Sequence, residues 1–209
     1  MQNNNIIVYL HGFRSSPQSF KAQLCAQRAA KLKAGDRYIC PQLPASPKDS
    51  IQLLLSLLSP FAPEQITLVG SSLGGYYATW LAEKLGARAV LLNPMTGIPT
   101  NMAQFLGATT TFHTNEPFEF KPEYVDDLRA LKVERITHPE RYWLIAATGD
   151  ELLDWREMVA HYPGAKQTII EGSDHGLTGF EQYLDEVLAY GGIDAGGIST
   201  NNNSDGDTR

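Results

Sequence analysis

A β-branched and apolar run, Ile66-Thr67-Leu68-Val69, leads straight into Gly70-Ser71-Ser72-Leu73-Gly74 and then into a segment of helical period that continues to Leu85. This is G-x-S-x-G between a strand and a helix. A serine on so sharp a turn holds its hydroxyl above the edge of a sheet, and glycines two residues before and after it leave room for the turn's backbone. Only Ser72 has glycine at both flanking positions, so Ser71 is the poorer candidate for a nucleophile. At the start of the helix, the Leu73 amide would face negative charge developing beside Ser72, and the helix dipole would reinforce it. The competing reading is a Gly/Ser turn that only packs a helix closely or holds an anion at its N-terminus. The rest of the chain decides between them.

The same rhythm recurs along the sequence, with strands expected over 6–10, 38–40, 66–69, 89–92, 142–147 and 168–170. Between them the spacing predicts helices over 18–33, 49–58, 72–85, 152–161 and 180–190, each bounded by Gly, Pro, Ser or Asp. Strands this apolar have no solvated face. The expected fold class is therefore three-layer α/β: a mostly parallel sheet of about six strands, covered by helices on both faces. Residues 93–140 break the rhythm, being rich in Thr, Pro and aromatics with a helical piece near 122–131. They read as an insertion over one end of the sheet, either a lid-like binding segment or a structural elaboration. The last stretch, 191–209, has five Gly, three consecutive Asn, two isolated Ile and no aromatic residue, and is expected to be a disordered tail on a 1–190 domain.

Composition narrows the classes further. The 209 residues are 43% hydrophobic and 19% charged, which suits one globular domain. With 17 Lys+Arg against 23 Asp+Glu and no basic cluster, nucleic acid is not an expected partner. The most apolar stretch, 53–62, contains Pro60 and falls well short of the roughly 18 residues of a membrane span. The N-terminal segment lacks a basic region, so it reads as a strand rather than a signal peptide. Two cysteines, Cys25 and Cys40, make neither a disulfide scaffold nor a metal spacing, which fits reduced thiols in the cytoplasm. No metal or cofactor motif is present: there is no G-x-G-x-x-G, no Walker loop and no H-E-x-x-H. Nothing in the sequence bears on oligomeric state.

A serine hydroxyl needs a general base, and the base needs an orienting carboxylate; on this fold they follow in the order Ser, Asp or Glu, His. His175 stands in Glu171-Gly172-Ser173-Asp174-His175-Gly176, between the last expected strand and the final helix, where such a base belongs. His161 is expected to close a helix, where a cation suits the dipole, and His113 and His138 fall in the insertion; surface roles are expected for all three. Asp150 is the first acid past the 142–147 strand, although an N-cap role competes there. Glu151 and Asp154 are rivals for the acid, and Asp174, beside His175 in a turn, should point away from it. The first strand ends in Tyr9-Leu10-His11-Gly12-Phe13, whose Phe13 amide can serve with that of Leu73 as an oxyanion hole. Gly12 permits the close approach, and His11 is expected to brace this loop.

Six segments together resemble the YqiA-like esterases of the α/β-hydrolase superfamily: YLHGFRSSPQSFKA, PQLPASP, VGSSLGGYYATWLAEKLG, LNP, TGDELLDWREMVAHY and QTIIEGSDHGLTGFEQYL. The resemblance spans the chain to about Tyr190. It implies Ser72 as nucleophile, Asp150 as acid and His175 as base, acting without a metal on acyl esters or thioesters of small molecules. Two readings stay open beside it: a catalytically silent binding module on the same fold, and a sister hydrolase, such as a peptidase or thioesterase, on the same triad.

Overall fold

The computed structural model describes residues 4–99 and 102–194. Six strands are built from the expected apolar runs: β1 (Ile6–Leu10), β2 (Tyr38–Ile39), β3 (Ile66–Ser71), β4 (Arg88–Leu92), β7 (Tyr142–Ala147) and β8 (Lys166–Ile170). They form one sheet in the order β2-β1-β3-β4-β7-β8, every pair parallel. All residues of β1 and β7 are buried, as strands covered on both faces must be. On one face Val8, Leu68, Leu91 and Leu144 pack with α2 (Pro47–Leu58), α3 (Leu73–Leu85) and α5 (Trp155–His161). On the other, Tyr9, Val69, Val90 and Trp143 pack with α1 (Phe20–Lys31) and α6 (Leu184–Tyr190). The three expected layers are all present.

Chain direction across the sheet reverses at β1. From there the chain moves outward to β2, then returns to the other side of β1 for β3 and all later strands. The turns that leave β1 and β3 therefore diverge, and they open a crevice at the carboxyl ends of these neighbours, where ligands bind in open α/β sheets.

The insertion contains a two-stranded antiparallel sheet, β5 (Gly107–Thr110) with β6 (Pro117–Phe120), followed by α4 (Glu123–Ala130). The helix agrees with the helical period near 122–131. The hairpin was not legible, because its strands are four residues each and no tight-turn dipeptide joins them. Several boundaries also move: the expected 18–33 helix runs over Phe20–Lys31, and the expected 180–190 helix begins as a 3-10 turn over Phe180–Tyr183. The expected 152–161 helix starts only at Trp155, because Leu152 and Leu153 belong to a turn closed by Asp150. The expected tail begins too early: Ile193 is fully buried against the sheet, and its amide donates to the Leu188 carbonyl at 2.9 Å. Residues 195–209, the rest of that expected tail, lie outside the described residues. Among the described residues no helix is long and apolar enough to cross a membrane.

Helix α3 approaches the strands so closely that side chains are excluded. A Cβ on Gly74 would sit 1.9 Å from the Leu10 carbonyl oxygen, and one on Gly70 would sit 2.4 Å from the Gly74 oxygen. Gly74→Ala must push the helix off the sheet and should lower the free energy of urea unfolding by more than about 2 kcal/mol. Gly97→Ala, where a Cβ meets nothing within 4 Å, should stay within about 0.5 kcal/mol of the parent.

Candidate active site

Ser72 occupies the single residue between β3 and α3, at φ 55 and ψ −119. A side-chain-bearing residue rarely adopts this conformation, and it persists only where the surroundings enforce it. They do so through the backbone: the Ser72 amide donates to the Leu92 carbonyl at 3.1 Å, and the Ser72 carbonyl accepts from Gly75 at 2.9 Å and Met95 at 3.0 Å. The hydroxyl is left to face the crevice.

The structure brings the three expected residues into one hydrogen-bonded row. His175 Nε2 lies 3.1 Å from Ser72 Oγ, and His175 Nδ1 lies 2.8 Å from Asp150 Oδ2. The Asp150 side chain is fully buried and that of His175 is 18% exposed. Because Asp150 accepts at Nδ1, the Nδ1–H tautomer leaves Nε2 free to accept from the serine hydroxyl. The second Asp150 oxygen, Oδ1, accepts from the Leu152 and Leu153 amides, both at 2.9 Å. The carboxylate is thus held on both sides, and the N-cap role that competed for it belongs instead to Asp154, whose Oδ1 accepts from Arg156 at 2.9 Å.

The rival acids have other partners. Glu151 accepts the His175 backbone amide at 3.0 Å and so steadies the base from behind. Asp174 turns away as expected and accepts from the Thr178 amide and hydroxyl at 2.9 and 2.8 Å, which holds its carboxyl below the usual range. Among the histidines, His138 pairs with Glu140 at the surface. His113 is exposed at the mouth of the central cavity. His161 does end α5, but burial pushes its imidazole down, against the cation expected there. Burial has the same effect on Lys21, whose ammonium donates to the Gly176 carbonyl at 2.7 Å and is pushed down to about 8.

The loop after β1 lies against the serine: a Cβ on Gly12 would come within 3.3 Å of the Ser72 Cβ. Among the described residues, the Phe13 and Leu73 amides donate to no protein acceptor. His11 braces this loop rather than reaching the reacting centre. Its Nδ1 pairs with the Gly12 carbonyl at 3.0 Å, and its Nε2 accepts the Leu43 amide at 3.0 Å.

One buried residue of the site escaped the sequence reading. Asn93, the first residue after β4, stands at φ 42. Its Oδ1 accepts from Ala147, the last residue of β7, at 2.8 Å, and its Nδ2 donates to the Asp174 and His175 carbonyls at 3.0 and 3.2 Å. One side chain thereby ties the strand that leads to Asp150 to the loop that carries His175. The Asn in the sequence segment LNP was the only trace of it.

In front of Ser72 and His175 opens a cavity of about 540 Å³, walled chiefly by Phe13, Met95, Met102, Phe105, Phe112 and Leu153. Among the described residues no group of His, Cys, Asp and Glu could hold a metal ion.

A parallel sheet in this order, with a strained serine turn after β3 and an acid and a histidine on the later loops, is the α/β-hydrolase fold. The same fold is found in a protein of Agrobacterium vitis S4 at 20% identity, covering 90% of this chain and 89% of that one, with a TM-score of 0.68. It also occurs in Est1E of Butyrivibrio proteoclasticus, solved with ferulic acid, at 13% identity, 88% of both chains and a TM-score of 0.63. Mouse alpha/beta hydrolase domain-containing protein 10 matches at 15% identity over 88% of this chain and 89% of that one, with a TM-score of 0.63. The chain belongs to the uncharacterised protein family UPF0227, the YqiA family, whose model matches residues 6–192.

Removing the Asn93 amide strands two carbonyls and one strand-end amide, each costing about 1–3 kcal/mol where water cannot replace it. Asn93→Ala should therefore lose about 2 kcal/mol or more in denaturant unfolding. His11 gives a pH test, because burial lowers its folded-state value below the usual 6.5. Between the two values the unfolded chain binds the proton more readily, so the stability due to neutral His11 is complete above pH 6.5 and is lost as the pH falls below it. Urea unfolding from pH 7.5 down to 5, points on either side of that value, should show a decline that is shallower in His11→Asn.

Proposed function

We propose that this protein is a serine hydrolase that cleaves carboxylic (acyl) esters or thioesters of small molecules through an acyl-enzyme. The observation that carries the reading is the unbroken row Asp150–His175–Ser72, with spacings of 2.8 and 3.1 Å, opening onto an apolar cavity. Ser72 Oγ attacks the carbonyl carbon while His175 Nε2 takes its proton, and the carbonyl oxygen becomes an oxyanion held by the Phe13 and Leu73 amides. When the intermediate collapses, the carbon–oxygen or carbon–sulfur bond breaks and Nε2 gives the proton to the leaving alcohol or thiol. Water then repeats the attack on the acyl-enzyme: Nε2 removes its proton and returns one to Ser72 Oγ as the acid leaves. Asp150 keeps the imidazole in the Nδ1–H tautomer and stabilises its cation.

The apolar cavity walls support an acyl group with hydrocarbon character. Est1E, which shares the fold, was solved with a carboxylic acid, ferulic acid, and this accords with an acyl site. No group in the cavity favours the silent-module reading over this one.

The decisive variant is Ser72→Ala. It should lower kcat for a chromogenic acyl ester and for the matching thioester by roughly four to six orders of magnitude. It should also abolish labelling by a serine-directed phosphonate while thermal unfolding stays cooperative. Activity retained in this variant would overturn the mechanism, and a parent that takes up no phosphonate would point to the silent module.

A further inference from the structure

Strands β5 and β6 pair only with each other, and apart from Phe120 their residues face mainly outward. A two-stranded hairpin has little stability of its own in water, so its position depends on what it is docked against. Much of that docking is supplied by two residues, Phe13 and Arg14, in the turn after β1. The Phe13 ring meets Phe105, Phe118 and Phe120 edge-on, at centroid distances of 5.6, 5.1 and 5.2 Å, the geometry that aromatic quadrupoles favour. Arg14 Nε donates to the Thr110 carbonyl at 2.7 Å, and the Phe112 amide donates to the Arg14 carbonyl at 2.8 Å. The Arg14 guanidinium lies over the Phe112 ring, 4.3 Å from its centroid. Arg14 itself stands at φ 56, in the left-handed region that side chains avoid. The turn is closed by the Ser15 amide on the Gly12 carbonyl at 3.2 Å, and the three contacts to one hairpin are what hold the strained Arg14 within it from outside.

We propose that the β5–β6 hairpin clamps the oxyanion hole, with Arg14 as the positioning residue: hairpin docking fixes the peptide that presents the Phe13 amide. The inference rests on the acyl-transfer reading. The two amides of the hole are held by different means. That of Leu73 belongs to the first turn of α3, packed on β1 and β3, whereas that of Phe13 belongs to a turn held on its inner side at the Gly12 carbonyl by His11 Nδ1 and the Ser15 amide, at 3.0 and 3.2 Å, and gripped on its outer side by the hairpin. Undocking the hairpin leaves the Leu73 amide in place and lets the Phe13 amide drift. Phe105 and Phe112 also wall the cavity, so a hairpin serving only as a wall is the competing role. The two roles separate kinetically. A lost wall weakens binding of the acyl group and raises KM, whereas a displaced oxyanion donor is felt only as charge develops and lowers kcat.

The test compares Arg14→Met, which keeps the stem without the donors, with Phe112→Ala, an exposed position, and with the double variant, all in the full chain. On an acetate ester, each single variant should lower kcat by about 10- to 100-fold, short of the full loss of one donor, with KM changed less than about two-fold. The double variant should be little worse than either single one, because both break the same clamp. Hydrogen exchange gives a readout independent of turnover. In Arg14→Met, exchange should accelerate over 12–15 together with 107–120, and stay unchanged over 149–153 and 173–176. Unchanged kcat with a raised KM would reduce the hairpin to a wall, and unchanged exchange over 12–15 would overturn the clamp outright. Should the parent's ester turnover survive Ser72→Ala, the acyl-enzyme reading fails instead, and the exchange result still decides whether the clamp exists.

Discussion

The contact on which the rest of the site depends is the one that leaves no room for a side chain: Gly74 against the Leu10 carbonyl and Gly70 against Gly74. Because α3 starts this close to β1 and β3, the chain must reverse within one residue, and Ser72 takes the left-handed conformation that results. The turn is then braced sideways as well as along its own helix. Its amide and carbonyl reach Leu92 and Met95, at the exit of the neighbouring strand. The close helix packing and the outward-facing Ser72 hydroxyl are therefore one geometry. The close packing that glycine permits is what holds the hydroxyl out over the sheet edge.

A similar economy governs the acid. At the sequence level Asp150 could either cap a helix or orient a base, and the structure separates the two by giving each oxygen a different partner. Oδ1 ties down the turn that follows β7, and Oδ2 is thereby aimed at His175. Two further ties join the loops after β7 and β8, both donated by the later loop: the Gly172 amide to the Thr148 hydroxyl at 2.8 Å, and the His175 amide to Glu151 at 3.0 Å. The imidazole is positioned by backbone contacts on both loops, so a rigid sheet edge sets the spacing to Ser72.

What could be read in advance follows from the range of the interactions involved. Six strands, their order in the chain and the row of Ser72, Asp150 and His175 were legible because apolar runs, glycine spacing and strand-end positions are local signals. Asn93 was not, since its value lies in three partners 54, 81 and 82 residues away, and no periodicity announces them. Ile193 was misplaced for the same reason: surrounded by Gly and Asp it looks unsupported, yet the pocket that buries it is made by strands from the other end of the chain. The hairpin β5–β6 lacks a strong turn signal, and its alternation, with Phe118 and Phe120 on Phe13 and Glu119 outward, spans only the four residues of β6.

Two of these less legible parts, Asn93 and the hairpin, lie on one segment. The segment that leaves β4 begins with Asn93, which holds the base loop. It continues through the hairpin, which grips the turn of Phe13 and Arg14. It then reaches α4, where the Leu128 carbonyl accepts from the Tyr76 hydroxyl on α3 at 2.9 Å. A crossover that merely joined β4 to β7 would need none of these attachments. Each one touches a different part of the site, so sequence changes within 93–140 that reshape the cavity also bear on the turns around Ser72 and His175. The cavity wall and the supports of the Phe13 and His175 turns are in this way carried on one stretch of chain, while the Ser72 turn is braced by the neighbouring strand's exit and the Asp150 carboxylate by the turn that follows β7.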